Sequence, residues 1–111
     1  MPEPVQDALR HIVALLVEGR YAELEALTKG VRLPADQMAR AVETYGRHLR
    51  MPPEAAFEQA NWGEFTSGPT GWWVAMNRWT EEEGLSDLCI EARFFPQAHG
   101  LGIEMDDIRV M

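Results

Sequence analysis

Four carboxylates surround a single glycine in the stretch "WTEEEGLSDL", residues 79–88. Glu81, Glu82, Glu83 and Asp87 are of the residue type that binds Ca²⁺ or transfers protons in catalysis. A Ca²⁺ loop, however, spaces its oxygen ligands at alternate positions and places glycine in mid-loop, and three consecutive glutamates followed by glycine do not match that spacing. Gly84 instead suits the left-handed last position of a three-residue hairpin loop formed by residues 82–84. The sequence therefore predicts an exposed hairpin tip here and no metal site.

The other side chains capable of chemistry are scattered along the chain. His11, His48 and His99 fall on a predicted first helix, a helix end and a loop, and the sequence has no H-x-x-x-H spacing. Cys89 lies in an apolar run without a neighbouring histidine, which is typical of a buried thiol rather than a nucleophile. No phosphate-binding glycine loop, G-x-S-x-G or C-x-x-C motif occurs in the sequence. We therefore predict a protein that is not an enzyme and that uses no cofactor.

Helices are expected in the first half of the chain, over residues 4–50. Apolar residues recur there at the three- and four-residue spacing of an amphipathic helix. Pro4 suits a first helical turn, and Gly19 and Gly30 are natural ends. The three predicted apolar faces are Val5, Leu9, Ile12, Val13 and Leu16; Tyr21, Leu24 and Leu27; and Met38, Val42, Tyr45 and Leu49.

The second half, residues 72–111, is expected to form strands. "WWVAMNRW", "LCIEARFF" and "LGIEMDDIRVM" are rich in aromatic and β-branched residues, and "PQAHG" separates the last two. The Pro/Gly-rich residues 51–71 connect the halves, with one further helical turn in "PEAAFEQA" and a weak strand at residues 64–66. The predicted fold is a single α+β domain over residues 1–111. Its three N-terminal helices pack on one face of a C-terminal antiparallel meander of three strands, or four with the weak one.

The hairpin register decides which residues face the helices. The three-residue loop pairs Arg78 with Leu88, and it also sets three cross-strand pairs of apolar residues on the face predicted to pack against the helices. These pairs are Met76 with Ile90, Val74 with Ala92, and Trp72 with Phe94. In the last strand Ile103 and Met105 have one parity and Ile108 and Val110 the other. A β-bulge at residues 106–107 would return both pairs to the core side, and the alternative is that the chain crosses there from one packing layer to another.

The net charge of −8 constrains the choice of partner. A strongly acidic domain repels phosphate backbones, so we expect no nucleic-acid ligand, whereas a basic protein partner would be attracted. The longest apolar run, "IVALLV", is too short to span a bilayer, and the N-terminal stretch lacks the basic region of a signal peptide. A cytoplasmic protein without membrane contact is expected, and a homodimer is compatible with the sequence.

Two sequence blocks resemble a known family. "WTEEEGLSDLCIEA" and the C-terminal "IEMDDIRVM" are similar to the blocks W-T-x-E-E-G-x-S-D-L and I-x-x-D-D-[IL]-x-V of a family of small uncharacterised bacterial domains. That resemblance brings no catalytic residues. Three helices followed by an antiparallel meander also look like the cystatin-like and nuclear-transport-factor-like α+β folds, which host enzymes, ligand pockets and immunity proteins.

A protein-binding surface is the function that the pattern favours. Trp73 and Trp79 fall on the sheet face away from the helices, and tryptophan is a common interface anchor. The predicted partner-binding residues are Trp73, Trp79, Arg93, Glu91, Asp87 and Glu82, with Arg93 placed to stack on Trp73. An immunity-type or regulatory protein that blocks a basic partner would be one case. The alternative is a small-ligand pocket between helices and sheet, walled by Tyr45, Trp72 and Phe94.

Overall fold

Four helices and five strands follow one another in the computed structural model, which describes residues 1–110. The α+β class and the order of helices before sheet are confirmed. The elements are α1 (Glu3–Val17), α2 (Tyr21–Thr28), α3 (Ala35–Tyr45), β1 (Leu49–Arg50), α4 (Glu54–Glu58), β2 (Asn61–Glu64), β3 (Trp72–Thr80), β4 (Gly84–Gln97) and β5 (Gly100–Val110).

The first three helices form where the apolar spacing predicts them. All five predicted residues of the α1 face are buried, and Pro4 lies in its first turn. α2 and α3 each end in a residue with left-handed backbone, Lys29 and Gly46 respectively. The predicted extension of α3 to residue 50 is wrong. Gly46 ends the helix, and Leu49 and Arg50 form β1 against Thr80 and Trp79 of β3.

The connection between the halves contains more structure than expected. α4 follows Pro53 and buries Phe57, as the predicted extra turn requires. The weak strand lies earlier than predicted: β2 covers Asn61–Glu64 and pairs with β3. The sheet has the order β1-β3-β4-β5. The short strands β1 and β2 pair with different parts of the same edge of β3: β1 with Trp79 and Thr80, and β2 with residues 72–75. β5 is therefore the other edge strand.

The predicted hairpin register is correct over most of its length. Trp72 pairs with Phe94, Val74 with Ala92 and Met76 with Ile90. The predicted pair of Arg78 with Leu88 is wrong, because the register shifts between Asn77 and Trp79, and β4 carries two more residues than β3 across that shift. The turn then closes with Thr80 opposite Gly84, so the loop is residues 81–83 rather than 82–84. Gly84 still takes the left-handed backbone, with φ of 71°.

A β-bulge in β5 occurs where predicted. Glu91 pairs with Asp107 and Ala92 with Met105, which leaves Asp106 as the extra residue. Met105 and Ile108 are consequently both buried although they differ in parity. Val110, at the end of the strand, is exposed.

The core lies between the helices and one face of the sheet. The helices contact β1 and β5, and the core joins α1, α2 and α3 to the apolar faces of β3, β4 and β5. Within residues 1–110 the opposite face is formed by strand side chains without a covering helix, and we call it the open face. In β3 this face carries Trp73, Ala75, Asn77 and Trp79, none of which is fully buried. No helix in the described part is long and apolar enough to cross a membrane.

Candidate functional site

Three of the six predicted partner-binding residues lie together on the open face. Trp73 is directly opposite Arg93 in the ladder, and Ala75 is directly opposite Glu91. The exposed fraction of Trp73 is 41%, which is high for a tryptophan. The centre of the open face therefore presents an aromatic ring, a guanidinium and a carboxylate on neighbouring strands.

Trp73 is held by β2 rather than by Arg93. Its indole ring lies against Gly63, its cross-strand partner, where a side chain would collide with the ring. The predicted stacking of Arg93 on Trp73 does not form. The Arg93 guanidinium instead lies 5.8 Å from the ring centre of Phe65, and its Nε atom lies 2.6 Å from Oδ2 of Asp106. Trp73 is consequently not covered by Arg93, and 41% of its surface stays exposed.

Asp106, the bulge residue of β5, sits between two arginines. Arg93 binds its Oδ2 atom, and Nε of Arg32 lies 3.2 Å from its Oδ1 atom. The Arg32 contact lacks the direction of a hydrogen bond, and Oδ1 is buried without a hydrogen-bond partner among residues 1–110. Arg32 also approaches Glu104 at 3.4 Å, from a backbone with φ of 69°. A buried carboxylate oxygen without a donor is costly unless a further donor reaches it.

A cleft of about 400 Å³ lies between these residues. Phe65 and Trp73 form its aromatic side, Ala75 contributes to its floor, and Glu91, Arg93 and Asp106 form its polar side. Sequence reasoning missed Phe65 and Asp106 as site residues. The bulge at residues 106–107 was the available signal for Asp106, because bulges often redirect side chains beside binding sites. Phe65 lies in a loop without a periodic pattern and gave no such signal.

Trp79, Asp87 and Glu82 lie at the turn end of the hairpin. Trp79 is six residues from Trp73 on the same face, or roughly 20 Å away along the strand. It is partly covered by Arg50, whose guanidinium lies 5.6 Å from the ring centre. Its ladder partner Leu85 is 62% exposed. The six predicted residues thus form two separate groups rather than one patch: Trp73, Glu91 and Arg93 on the open face, and Trp79, Asp87 and Glu82 at the turn end.

The turn glutamates are exposed, as a hairpin tip predicts, but Glu82 holds the loop before β1 and Glu83 holds the end of α3. Glu82 accepts a hydrogen bond from the His48 backbone N–H at 2.9 Å and pairs with His48 Nδ1 at 2.7 Å. Glu83 accepts a hydrogen bond from the Tyr45 hydroxyl at 2.8 Å. The His48 backbone N–H lowers the pKa of Glu82, and the Glu82 carboxylate raises the pKa of His48. Within residues 1–110 no cluster of three or more potential metal ligands forms.

The residues of the predicted internal pocket do not come together. Phe94 is fully buried in the core, and Trp72 is its partly buried ladder partner. Tyr45 lies at the opposite end of the hairpin, where its hydroxyl contacts Glu83 and the backbone N–H of Asp87. One cleft lies on the open face, and another, of about 290 Å³, lies between the end of α2 and strands β4 and β5, away from Tyr45 and Trp72.

Arg78 is the least expected residue of the sheet. It follows the same alternation as Val74 and Met76, so its side chain points to the core and is 0% exposed. None of its three guanidinium nitrogens has a hydrogen-bond partner in the described chain. Burial lowers its pKa to about 10, so it is still a cation at neutral pH. Cys89 is also buried, and burial raises the pKa of its thiol, which disfavours the reactive thiolate.

The helices, the antiparallel sheet and its open aromatic face define a small α+β domain with a candidate binding surface. Residues 13–111 match the family model described as "Domain of unknown function (DUF7668)", and the chain belongs to this family. The chain has no match among the curated proteins or among the solved structures.

Proposed function

We propose that this domain is a non-catalytic protein-binding module that uses the open face of its sheet. The observation that carries the proposal is Trp73, which is 41% exposed, supported from below by Gly63 and placed beside a cleft. A rigid, exposed aromatic ring next to a concavity is the usual form of an interface anchor. The proposed class is an immunity-type or regulatory protein that acts by covering part of its partner.

A basic partner fits the charge of the domain. The net charge is −8, and the carboxylates of Glu91 and Asp107 lie opposite each other on the open face. Such charges raise the association rate of a basic protein, whereas the aromatic anchor slows its dissociation. We further propose a cytoplasmic location and a relationship to the cystatin-like and nuclear-transport-factor-like folds, both of which rest on the sequence.

Site-specific crosslinking tests the proposal. A photoreactive phenylalanine analogue is incorporated at position 73, in cells that express the domain, and adducts are identified by mass spectrometry. The matched control carries the analogue at position 62, because Trp62 is 39% exposed and pairs with Val74, on the helix side of the sheet. A basic protein captured at position 73 and not at position 62, and then bound in purified form, is the expected result. Equal capture at the two positions, or none at position 73, would refute a role of the open face.

The alternative of a small-ligand pocket walled by Tyr45, Trp72 and Phe94 is less well supported, because these three side chains do not line a common cavity. Phe94 and Trp72 fill the core at one end of the hairpin, and Tyr45 is engaged with Glu83 at the other.

A further inference from the structure

We infer that a gap in the edge of β3 receives the backbone of one extended residue of the partner protein. The inference rests on the proposed function for the existence of a partner, and it adds a second contact that differs in chemistry from the Trp73 anchor. β2 pairs with residues 72–75 of β3, and β1 pairs with Trp79 and Thr80. Residues 76–78 therefore have no strand beside them on this side within residues 1–110. We call this interruption the edge gap.

Asn77 is the residue whose backbone N–H and C=O point into the edge gap. In an antiparallel strand both groups of one residue point to the same side, and those of the next residue point to the other side. The Phe65 N–H donates a hydrogen bond of 3.0 Å to the Gly71 carbonyl, and the Glu81 N–H donates one of 2.8 Å to the His48 carbonyl. Both bonds lie on the β1–β2 side of β3. Every second residue between them, including Asn77, consequently faces that side.

The contacts of the neighbouring residues agree with this assignment. The Arg78 carbonyl accepts a hydrogen bond of 2.7 Å from the Ser86 hydroxyl, so Arg78 faces β4. Ala75 and Trp79 are the edge-facing residues on either side of Asn77, and they have ladder partners in β2 and β1 respectively. Asn77 thus presents one donor and one acceptor that no backbone group of residues 1–110 binds.

A space of about 180 Å³ opens at the edge gap. Ala56 in α4 and Ala60 after it line one side, and Trp79 and Leu85 line the other. Asn77 also lines this space and is only partly buried. The volume is several times the roughly 30 Å³ that one water molecule occupies in the liquid. The edge gap therefore has room for an amino-acid residue.

An extended residue is the group that matches the edge gap. A donor and an acceptor on one strand residue bind the acceptor and donor of an extended residue from another chain, as in strand addition to a sheet. Residues 76–78 span roughly 10 Å, so only one residue can pair before β1 and β2 block a longer strand. Its side chain would lie on the open face beside Trp79 and the 62% exposed Leu85. We therefore expect an apolar residue, presented by a loop of the partner that approaches from the open face.

The test is an NMR titration of the full chain with acetyl-valine-methylamide, which presents one residue with both of its peptide groups. Its control is acetyl-N-methylvaline-methylamide, which lacks the N–H that should bind the Asn77 carbonyl. We expect saturable shifts of the Asn77 amide with the first compound. The second should bind about fivefold more weakly, the effect of one lost hydrogen bond. No shift at Asn77, or equal binding of the two compounds, would overturn the inference.

Amide hydrogen exchange tests the edge gap in the free domain. The Asn77 N–H should exchange at least about tenfold faster than those of Ala75 and Trp79, because those two lie in ladders on the same edge. If all three amides are equally protected, the edge gap is closed in solution and the inference fails.

Two substitutions on α4 locate the binding of the valine compound. Ala56→Leu fills the space without a change of charge and should abolish the shifts, whereas Ala55→Leu places the same side chain at an exposed neighbour outside the lining. Ala55→Leu should leave the affinity within about twofold. If folded Ala56→Leu binds as well as the wild type, the edge gap is not the site. The comparison of the two compounds on the wild type needs no variant, so it decides the matter if Ala56→Leu does not fold.

The failure of this inference can be distinguished from the failure of the proposed function. Binding of the valine compound at Asn77 without any protein captured at position 73 would refute the proposed function alone. A protein captured at position 73, with no binding of the compound at Asn77, would refute only the edge gap as a binding site.

Discussion

The indole ring of Trp73 rests on the backbone of Gly63, so closely that a Cβ atom at position 63 would lie 2.8 Å from the indole Nε1 atom. The two residues face each other across the β2–β3 ladder. The absence of a side chain on one strand therefore fixes the orientation of the most exposed aromatic ring on the other. β2 thereby positions both aromatic residues of the cleft: its Gly63 contacts the Trp73 ring, and Phe65 follows directly after its last residue.

The first prediction concerns this contact. Gly63→Ala should displace the Trp73 ring and destabilise the domain by about 1–3 kcal/mol, because overpacking of a close contact costs that much. Urea denaturation measures the free energy of unfolding, and the Trp73 indole signal reports the displacement. The control is the same change in a Trp73→Ala background, where the cost should largely vanish. If Gly63→Ala lowers the free energy of unfolding equally in both backgrounds, the contact with the Trp73 ring is not the reason that position 63 requires glycine.

The second prediction concerns the buried cation. Arg78→Met should stabilise the domain by about 1–4 kcal/mol, because an apolar side chain of similar length replaces a buried charge without partners. The control is Arg109→Met, at a half-exposed and ion-paired arginine, which should change stability little. Loss of stability in Arg78→Met, measured by urea denaturation near neutral pH, would mean that the guanidinium has a stabilising contact.

A pH dependence follows from the same residue. Burial lowers the folded-state pKa of Arg78 to about 10, well below the ordinary value of an arginine, so the folded state disfavours its charge. The loss of folding stability caused by the buried charge is complete below pH 10. It is relieved as the pH rises through that value, because the folded state then loses the proton while the unfolded chain still holds it. The stability difference between Arg78→Met and the wild type should therefore shrink between pH 9 and pH 11. A constant difference over that range would contradict the lowered pKa.

The third prediction concerns the link between the hairpin turn and the loop before β1. Glu82→Gln should lower the pKa of His48 towards its ordinary value, because the Glu82 carboxylate is the main cause of its rise. The favourable contribution of His48 is complete below pH 6.5 and is lost as the pH rises through its raised folded-state pKa. That of Glu82 is complete above pH 4.5 and is lost as the pH falls through its lowered value. An NMR pH titration of His48 measures the change, with Glu81→Gln as the control that should give the smaller shift.

The fourth prediction concerns the register shift in β4. The Ser86 hydroxyl donates a hydrogen bond of 2.7 Å to the Arg78 carbonyl, which the shift removes from the regular ladder. Ser86 is buried, so Ser86→Ala should cost about 1–3 kcal/mol, the penalty for a buried acceptor left without a donor. Ser67→Ala, in an exposed loop, should have a negligible effect on the same thermal and urea unfolding curves. If Ser86→Ala and Ser67→Ala have the same stability, another donor must bind the Arg78 carbonyl.

Periodicity predicted those features of the fold that repeat along the chain. The buried face of α1, the pairing of Trp72, Val74 and Met76 with β4, and the bulge at Asp106 all follow from the spacing of apolar residues. β1 was missed because two residues are too short for a period, and their strand conformation depends on Thr80 and Trp79 of a distant segment.

The candidate site was predicted less completely, for a different physical reason. Trp73, Glu91 and Arg93 were placed correctly on one face, because alternation within a strand determines it. Which groups they contact depends on β2, the 65–71 loop and the bulge, and sequence spacing carries no information about those contacts. Arg78 shows the converse: its position in the alternation indicates the core, but its charge led to its being left off the predicted core face.

The free edge of β5 has a consequence for the behaviour of the protein in concentrated solution. An eleven-residue strand with one unpaired side would ordinarily recruit strands from other molecules and seed aggregates. Two features interrupt that template near its middle: the extra residue Asp106, and Arg32, which reaches from the helical layer to Glu104 and Asp106. Neither half of the edge then offers a long, flat run of backbone groups. The contacts that shape the cleft on one side of the sheet thereby also protect the protein from fibre-like association.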